Sequence, residues 1–216
     1  MRIEAAIFDF GGVFTTSPLE NFAAFEAERG LPPRFLAEVI KRDHHTNAWA
    51  RFERGEIDLI AFDPLFAAET RAEGHEVAGA ELVSLLRLKL KPTMVEALRR
   101  VKFAGLKTGC ITNNLPGLDS SDMLAEHEKP VVADILRMFD HVIESSKAGV
   151  RKPEPRIYMM MSDALGVAPG ACVFIDDLGI NLKTAKVLGM RTIKVPLGYP
   201  AAAVDELGAL LGLKLS

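Results

Sequence analysis

Four apolar runs of this chain end on side chains that could do chemistry together. Ala5-Ala6-Ile7-Phe8 leads into Asp9, Phe10, Gly11 and Gly12, and a second run ends on Thr112-Asn113-Asn114. A third is followed by the loop carrying Lys147 and Lys152, and a fourth ends on Asp176-Asp177. Three carboxylates, a hydroxyl and a lysine suit an anionic group held on a divalent cation. Hard cations such as Mg²⁺ take carboxylate and carbonyl oxygens and keep several waters. A lysine balances the acids and grips a phosphate as a compact charge. On this reading Asp9 is a nucleophile beside a metal. Gly11 and Gly12 let the backbone turn sharply and leave its amides and carbonyls uncovered. Plainer roles are open to each residue. Asp9 could cap a turn, one of Asp176 and Asp177 could simply face a helix N-terminus, and Thr112 could be an ordinary β-branched strand residue. Lys152 could be a solvated lysine, with Lys147 its rival for the anion.

These residues meet only if the runs before them are neighbouring parallel strands, because ligands collect at the carboxyl edge of an open α/β sheet. The first run is apolar without alternation, as a strand covered on both faces is. Leu106 to Thr112, Phe139 to Glu144, Ala171 to Ile175 and Arg191 to Val195 read as further strands. Helical patterns opened by Pro92 and closed by Gly105, then Val131 to Met138, Glu154 to Leu165 and Asn181 to Leu188, alternate with them. Leu115 to Glu128 is polar and irregular. The fold class is α/β, a Rossmann-like parallel sheet sandwiched by helices.

Between the first strand and Pro92 the pattern changes. Ser17-Pro18 opens a helix, and from Leu19 to Lys91 the periodicity is helical with no convincing strand. Gly30-Leu31-Pro32-Pro33 interrupts it, and Asp63-Pro64 marks another break. The expectation is an all-helical cap of about four or five helices inserted after the first strand. Residues 17–91 would form this cap, and residues 1–16 and 92–216 the core. Trp49, Phe52 and Phe62 read as cap core. His44-His45 reads as a solvated pair, because adjacent residues of a regular element point to opposite sides.

The chain has 216 residues, 49% of them apolar, and a formal charge of −3. That charge gives no case for nucleic acid or an anionic membrane. No apolar run approaches the roughly 18 residues of a membrane span, and no leader pattern opens the sequence. Cys110 and Cys172 lie inside apolar runs and read as buried thiols. A cytoplasmic location is the default expectation. The oligomeric state is not legible.

Four groups of residues, in order, resemble the motifs of the haloacid dehalogenase-like hydrolase superfamily. They are Phe8-Asp9 with Gly12-Val13, Ile111-Thr112-Asn113, Lys152-Pro153-Glu154-Pro155, and Phe174-Ile175-Asp176-Asp177 with Asn181 and Gly189-Met190. The paired asparagines, the Lys-Pro-Glu-Pro run and Asp176-Asp177-Leu178-Gly179 are similar to the phosphatase-like amino-terminal domains of soluble epoxide hydrolases and of acyl-CoA dehydrogenase fusion proteins. The resemblance implies that Asp9 forms an aspartyl-phosphate. Thr112 and the Asn113 amide would bind phosphoryl oxygens, and Lys152 would neutralise developing charge. Mg²⁺ would be held by Asp9, the Gly11 carbonyl and Asp177, with Asp176 close behind. The cap would exclude water and read the leaving group of a small phosphorylated metabolite.

Gly11 departs from the family pattern. Phosphatases of the family carry an aspartate there, which protonates the leaving alkoxide and then activates water, a contribution of roughly 10²–10⁴. The sequence is then that of a slow phosphatase, one that works on good leaving groups, or a phosphometabolite binder without turnover. A metal-independent 2-haloacid dehalogenase is a further alternative, since halide leaves unprotonated. The paired acids argue against it, because without a cation they would repel an anionic substrate.

Overall fold

A computed structural model describes residues 2–117 and 129–215. Most of the polar stretch from Leu115 to Glu128 therefore lies outside the described residues. Five parallel strands, β1 (Ala5–Phe8), β2 (Lys107–Thr112), β3 (His141–Glu144), β4 (Cys172–Asp176) and β5 (Arg191–Lys194), form one sheet in the order β3-β2-β1-β4-β5. β1 is central, with Phe8 level with Cys110 of β2 and Ile175 of β4. The register brings Asp9, the end of β2 and Asp176 to one edge.

Alternation along β1 divides the core. Ala6 and Phe8 pack, with Cys110, Val173 and Ile175, under α6 (Pro92–Phe103), α7 (Lys129–Met138) and α11 (Pro200–Leu211). Ala5 and Ile7 face the other way with Ile111 and Phe174, toward α9 (Pro155–Leu165) and α10 (Gly179–Val187). Helices cover both faces, so β1 is apolar on both. The four-residue α8 (Ser145–Ala148) occupies part of what reads in sequence as a loop. α11 lies beyond the last strand found by pattern and buries Ala203, Val204 and Leu207.

Five helices separate β1 from α6: α1 (Pro18–Arg29), α2 (Phe35–Lys41), α3 (Ala48–Glu53), α4 (Leu59–Ala72) and α5 (Gly79–Ser84). They share a cluster of their own around Phe22, Leu36, Phe52, Phe62, Phe66 and Leu82. Two expectations within this insert need correction. Asp63-Pro64 does not break the chain, and α4 runs through it. Asp58 caps the helix by accepting from Ala61 N at 2.9 Å. Pro64 removes only the bond to the carbonyl of Ile60, a residue 84% exposed. Nor is the insert helical to its end. Leu90 pairs antiparallel with Thr15, with Lys91 N to Phe14 O at 2.7 Å and Thr16 N to Lys89 O at 2.8 Å. The chain thus leaves and re-enters the sheet layer through two adjacent crossings.

No helix among the described residues is long and apolar enough to cross a membrane. Cys110 and Cys172 are buried free thiols.

Candidate active site

Asp9 extends the ladder of β1 by one bond, its N–H donating to Ile175 O at 2.8 Å. The loop after it is tight. Phe14 N donates back to Phe10 O at 2.9 Å, and the two rings stack at 5.7 Å. The two glycines differ in what they are needed for. Gly12 has φ +75°, and a Cβ there would lie 2.2 Å from Asp177 Oδ2. Only glycine suits that backbone and lets the carboxylate approach. Gly11 has no such constraint, and a Cβ on it meets nothing within 4 Å.

Lys152 is 1% exposed and bridges two acids, with Nζ 2.6 Å from Asp9 Oδ1 and 3.0 Å from Asp176 Oδ2. Burial alone would lower its pKa, but Asp176 and Asp9 outweigh it and the ammonium is held more firmly than usual. Its rival Lys147 points away, pairing with Glu144 on the surface. Asp176 is fully buried and saturated, accepting from Leu178 N at 2.7 Å, from Asn181 Nδ2 at 3.0 Å and from Lys152. Asn181 therefore ties its loop to Asp176.

Ligand atoms of Asp9, Asp176 and Asp177 lie within 4.8 Å of one another, the one such group of His, Cys, Asp or Glu among the described residues. Their crowding is visible electrostatically. Burial raises the Asp9 carboxyl well above its ordinary value despite Lys152. Burial, then Asp176, push Asp177 up to about 6. A divalent cation would relieve this repulsion, and a cradle of carboxylate oxygens suits Mg²⁺. Near the cradle, Lys91 Nζ donates to Gly12 O at 2.6 Å.

Thr112 is buried at the end of β2, on the wall of the same pocket as Asp9. The side chain of Asn113 is occupied, Oδ1 accepting from Lys152 N at 2.9 Å and Nδ2 donating to Lys152 O at 3.0 Å. Asn114 pins the next loop, its Oδ1 accepting from Ser146 N at 3.1 Å and Ser146 Oγ at 2.9 Å. The paired asparagines thus carry the scaffold of two loops.

Above these groups lies a cavity of about 380 Å³ between the sheet edge and the insert. Its upper wall is apolar where Phe22, Ile40, Trp49, Leu86 and Leu88 form it, and charged where α2 adds Glu38 and Lys41. Trp49 is thus both pocket wall and core, its ring 5.9 Å from that of Phe62. Phe52 and Phe62 are fully buried in the insert. His44 and His45 do not point to opposite sides. Their rings lie 4.0 Å apart, because Asp43, with φ +47°, turns the chain out of any regular element. His44 reaches the cavity, and burial lowers its pKa.

Sequence reasoning missed a buried charged pair in this lining. Arg151 and Glu53 form a buried ion pair at 2.5 Å, one from the loop before Lys152 and one from α3. Arg151 was signalled only by adjacency to Lys152. Glu53 carried no signal, since an acid at the end of a short amphipathic helix is ordinary.

A Rossmann-like α/β fold with an acid–lysine cluster at its carboxyl edge is the class of protein defined so far. The chain belongs to the haloacid dehalogenase-like hydrolases, whose family model matches residues 3–189. It is similar to mouse acyl-CoA dehydrogenase family member 10, with 34% identity over 98% of this chain and 19% of that protein. It is 32% identical to pig bifunctional epoxide hydrolase 2 over 100% of this chain and 40% of that protein. The chain therefore spans less than half the length of either. A phosphatase of Mycobacterium tuberculosis is 34% identical over 90% of this chain and 88% of its own. A haloacid dehalogenase family enzyme of Bacteroides thetaiotaomicron, solved with magnesium and inorganic phosphate, shares the fold. The TM-score is 0.58 at 21% identity, over 91% of this chain and 96% of that one.

Proposed function

We propose that this chain is a Mg²⁺-dependent phosphomonoesterase that works through an aspartyl-phosphate on Asp9. The observation that carries the reading is Lys152, buried and bridging Asp9 and Asp176 at the floor of the cavity. Asp9, Asp177 and the Gly11 carbonyl would hold the ion, with Asp176 behind them. When bound, it supplies positive charge to an incoming phosphoryl group and relieves repulsion among the acids. Asp9 attacks phosphorus, and the leaving oxygen departs toward the insert. The Thr112 hydroxyl and the backbone N–H of Asn113 bind phosphoryl oxygens while Lys152 neutralises charge as it develops. Water then attacks phosphorus and frees Asp9.

Residues 17–91 act as a cap over the core formed by 1–16 and 92–216. Its apolar wall favours a small phosphorylated metabolite with an apolar body. Gly11 offers no proton to the leaving group, so turnover is slow on alkyl phosphates and better where the leaving oxygen is stable as an anion.

The test is hydrolysis of p-nitrophenyl phosphate with Mg²⁺. Slow turnover is expected, with a loss of at least about 10³-fold in Asp9→Asn. Equal rates in both proteins would overturn the proposal. Chelator-insensitive halide release from 2-chloropropionate would replace it with the dehalogenase reading.

A further inference from the structure

Adjacent residues 151 and 152 send their side chains in opposite directions. Lys152 goes to Asp9 and Asp176. Arg151 goes to the insert, one guanidinium nitrogen 2.5 Å from Glu53 Oε2 and the other donating to His44 O at 2.6 Å. Asn113 stands between them. Its amide grips Lys152 on both backbone groups, and Nδ2 also reaches Glu53 Oε2 at 3.3 Å. Glu53 is itself fixed, its carbonyl accepting from Ser145 Oγ at 2.5 Å. Two residues on, a Cβ at Gly55 would lie 2.5 Å from Ser146 O, so the turn after α3 rests directly on α8. The side chains of Glu53 and Arg151 are 8% and 10% exposed, so water does little to screen the pair.

We infer that Glu53 is a positioning residue that makes the placement of Lys152 depend on the closed position of the insert. The inference rests on the phosphatase reading. With the insert down, Glu53 holds Asn113 and Arg151, and these hold the backbone that aims Lys152. With the insert lifted, Asn113 loses an acceptor and Arg151 its counter-charge, and the segment is released on that side. Lys152 is then set for chemistry only when the cavity is enclosed. This links water exclusion to charge neutralisation through one contact. Burial raises the Glu53 carboxyl above its ordinary value against the pull of Arg151, so its charge depends on that partner.

The test replaces the pair by apolar side chains of similar size, Glu53→Met with Arg151→Met, a change that buried ion pairs often tolerate. The melting temperature is expected to stay close to wild type. Acetyl phosphate is too small to need the apolar wall, so its kcat isolates the effect on Lys152. That kcat should fall about 10–100-fold with little change in KM, as displaced supporting contacts do. p-Nitrophenyl phosphate should lose the same factor, and orthovanadate affinity, measured by calorimetry, should weaken with it. Glu53→Gln combined with Arg151→Met keeps an acceptor for Asn113 without stranding a buried guanidinium, and should recover most of the loss. If the double variant does not fold, Glu53→Asp, whose carboxylate stops one methylene short of Asn113, replaces it with the same expectations.

Wild-type kcat on acetyl phosphate in the variant that folds would overturn the inference. So would a loss confined to p-nitrophenyl phosphate, which makes Glu53 a wall of the pocket. A protein carrying Glu53→Gln with Arg151→Met that is as impaired as the double methionine variant would also overturn it, as a proton-carrying role requires. Each of these leaves the phosphatase reading standing. That reading fails separately if wild type shows no Asp9-dependent turnover of either substrate, and the inference falls with it.

Discussion

On the sheet side of the cavity, Asp176 accepts from Leu178, Asn181 and Lys152, and Lys152 is held at both its backbone and its ammonium. On the insert side, Phe22, Ile40, Leu86 and Leu88 form an apolar wall, with Arg34, Glu38, Lys41 and His44 beside it. The polar side is over-determined, because a buried charge without partners costs far more than a lost apolar contact. The apolar side is held by a contiguous cluster and needs only volume and hydrophobicity, which tolerate exchange. Under the proposed function, chemistry belongs to the tightly determined side and selectivity to the side that tolerates exchange. Glu53 is the insert charge that reaches across to the polar side.

The comparison is sharpened most by Gly11→Asp. The position has open space and needs no unusual φ, so the variant should fold. Alkyl phosphate hydrolysis should rise by about 10²–10⁴, the usual contribution of a general acid–base group. No gain would mean that the polar side lacks more than a proton donor. Lys152→Met is next, expected to lower phosphatase kcat by about 10²–10³, as removing one charge-stabilising donor does. A variant that keeps its rate would break the claim that this side does the chemistry.

A smaller effect is expected from pH. Asp177 sits at about 6 because burial, then Asp176, disfavour its charge. A carboxyl whose folded pKa lies above the unfolded value binds more protons in the native state. Metal-free protein should therefore lose stability as pH rises through about 4 to 6. Mg²⁺ requires the ionised acid, so its stabilising shift in melting temperature should be larger at pH 7 than at pH 5. Equal shifts would argue against Asp177 as a ligand. The smallest effect belongs to Lys147→Ala. That side chain is 70% exposed and outside the cluster, so activity should be unchanged and stability within about 0.5 kcal/mol.

Much of this was legible in the chain itself. Asp9, Thr112, Lys152 and Asp176-Asp177 each follow an apolar run or the turn after it, and parallel strands must end at one edge. Strand identity was legible because both faces are buried, which leaves short unbroken apolar runs. α11 was passed over because its sequence, Pro-Ala-Ala-Ala-Val followed by leucines, carries no motif and follows the last strand. Pro64 misled because a proline near a well-capped helix start can cost only one exposed bond.

By itself the sequence determined the sheet, the helical insert and the order of the charged residues, since these depend on local periodicity and on side chains set at strand ends. Only the tertiary structure decided which glycine is obligatory and which lysine reaches the acids. It alone revealed that Glu53 meets Asn113, 60 residues away in sequence. Those answers depend on distances between segments remote in the chain, and no local pattern encodes such distances.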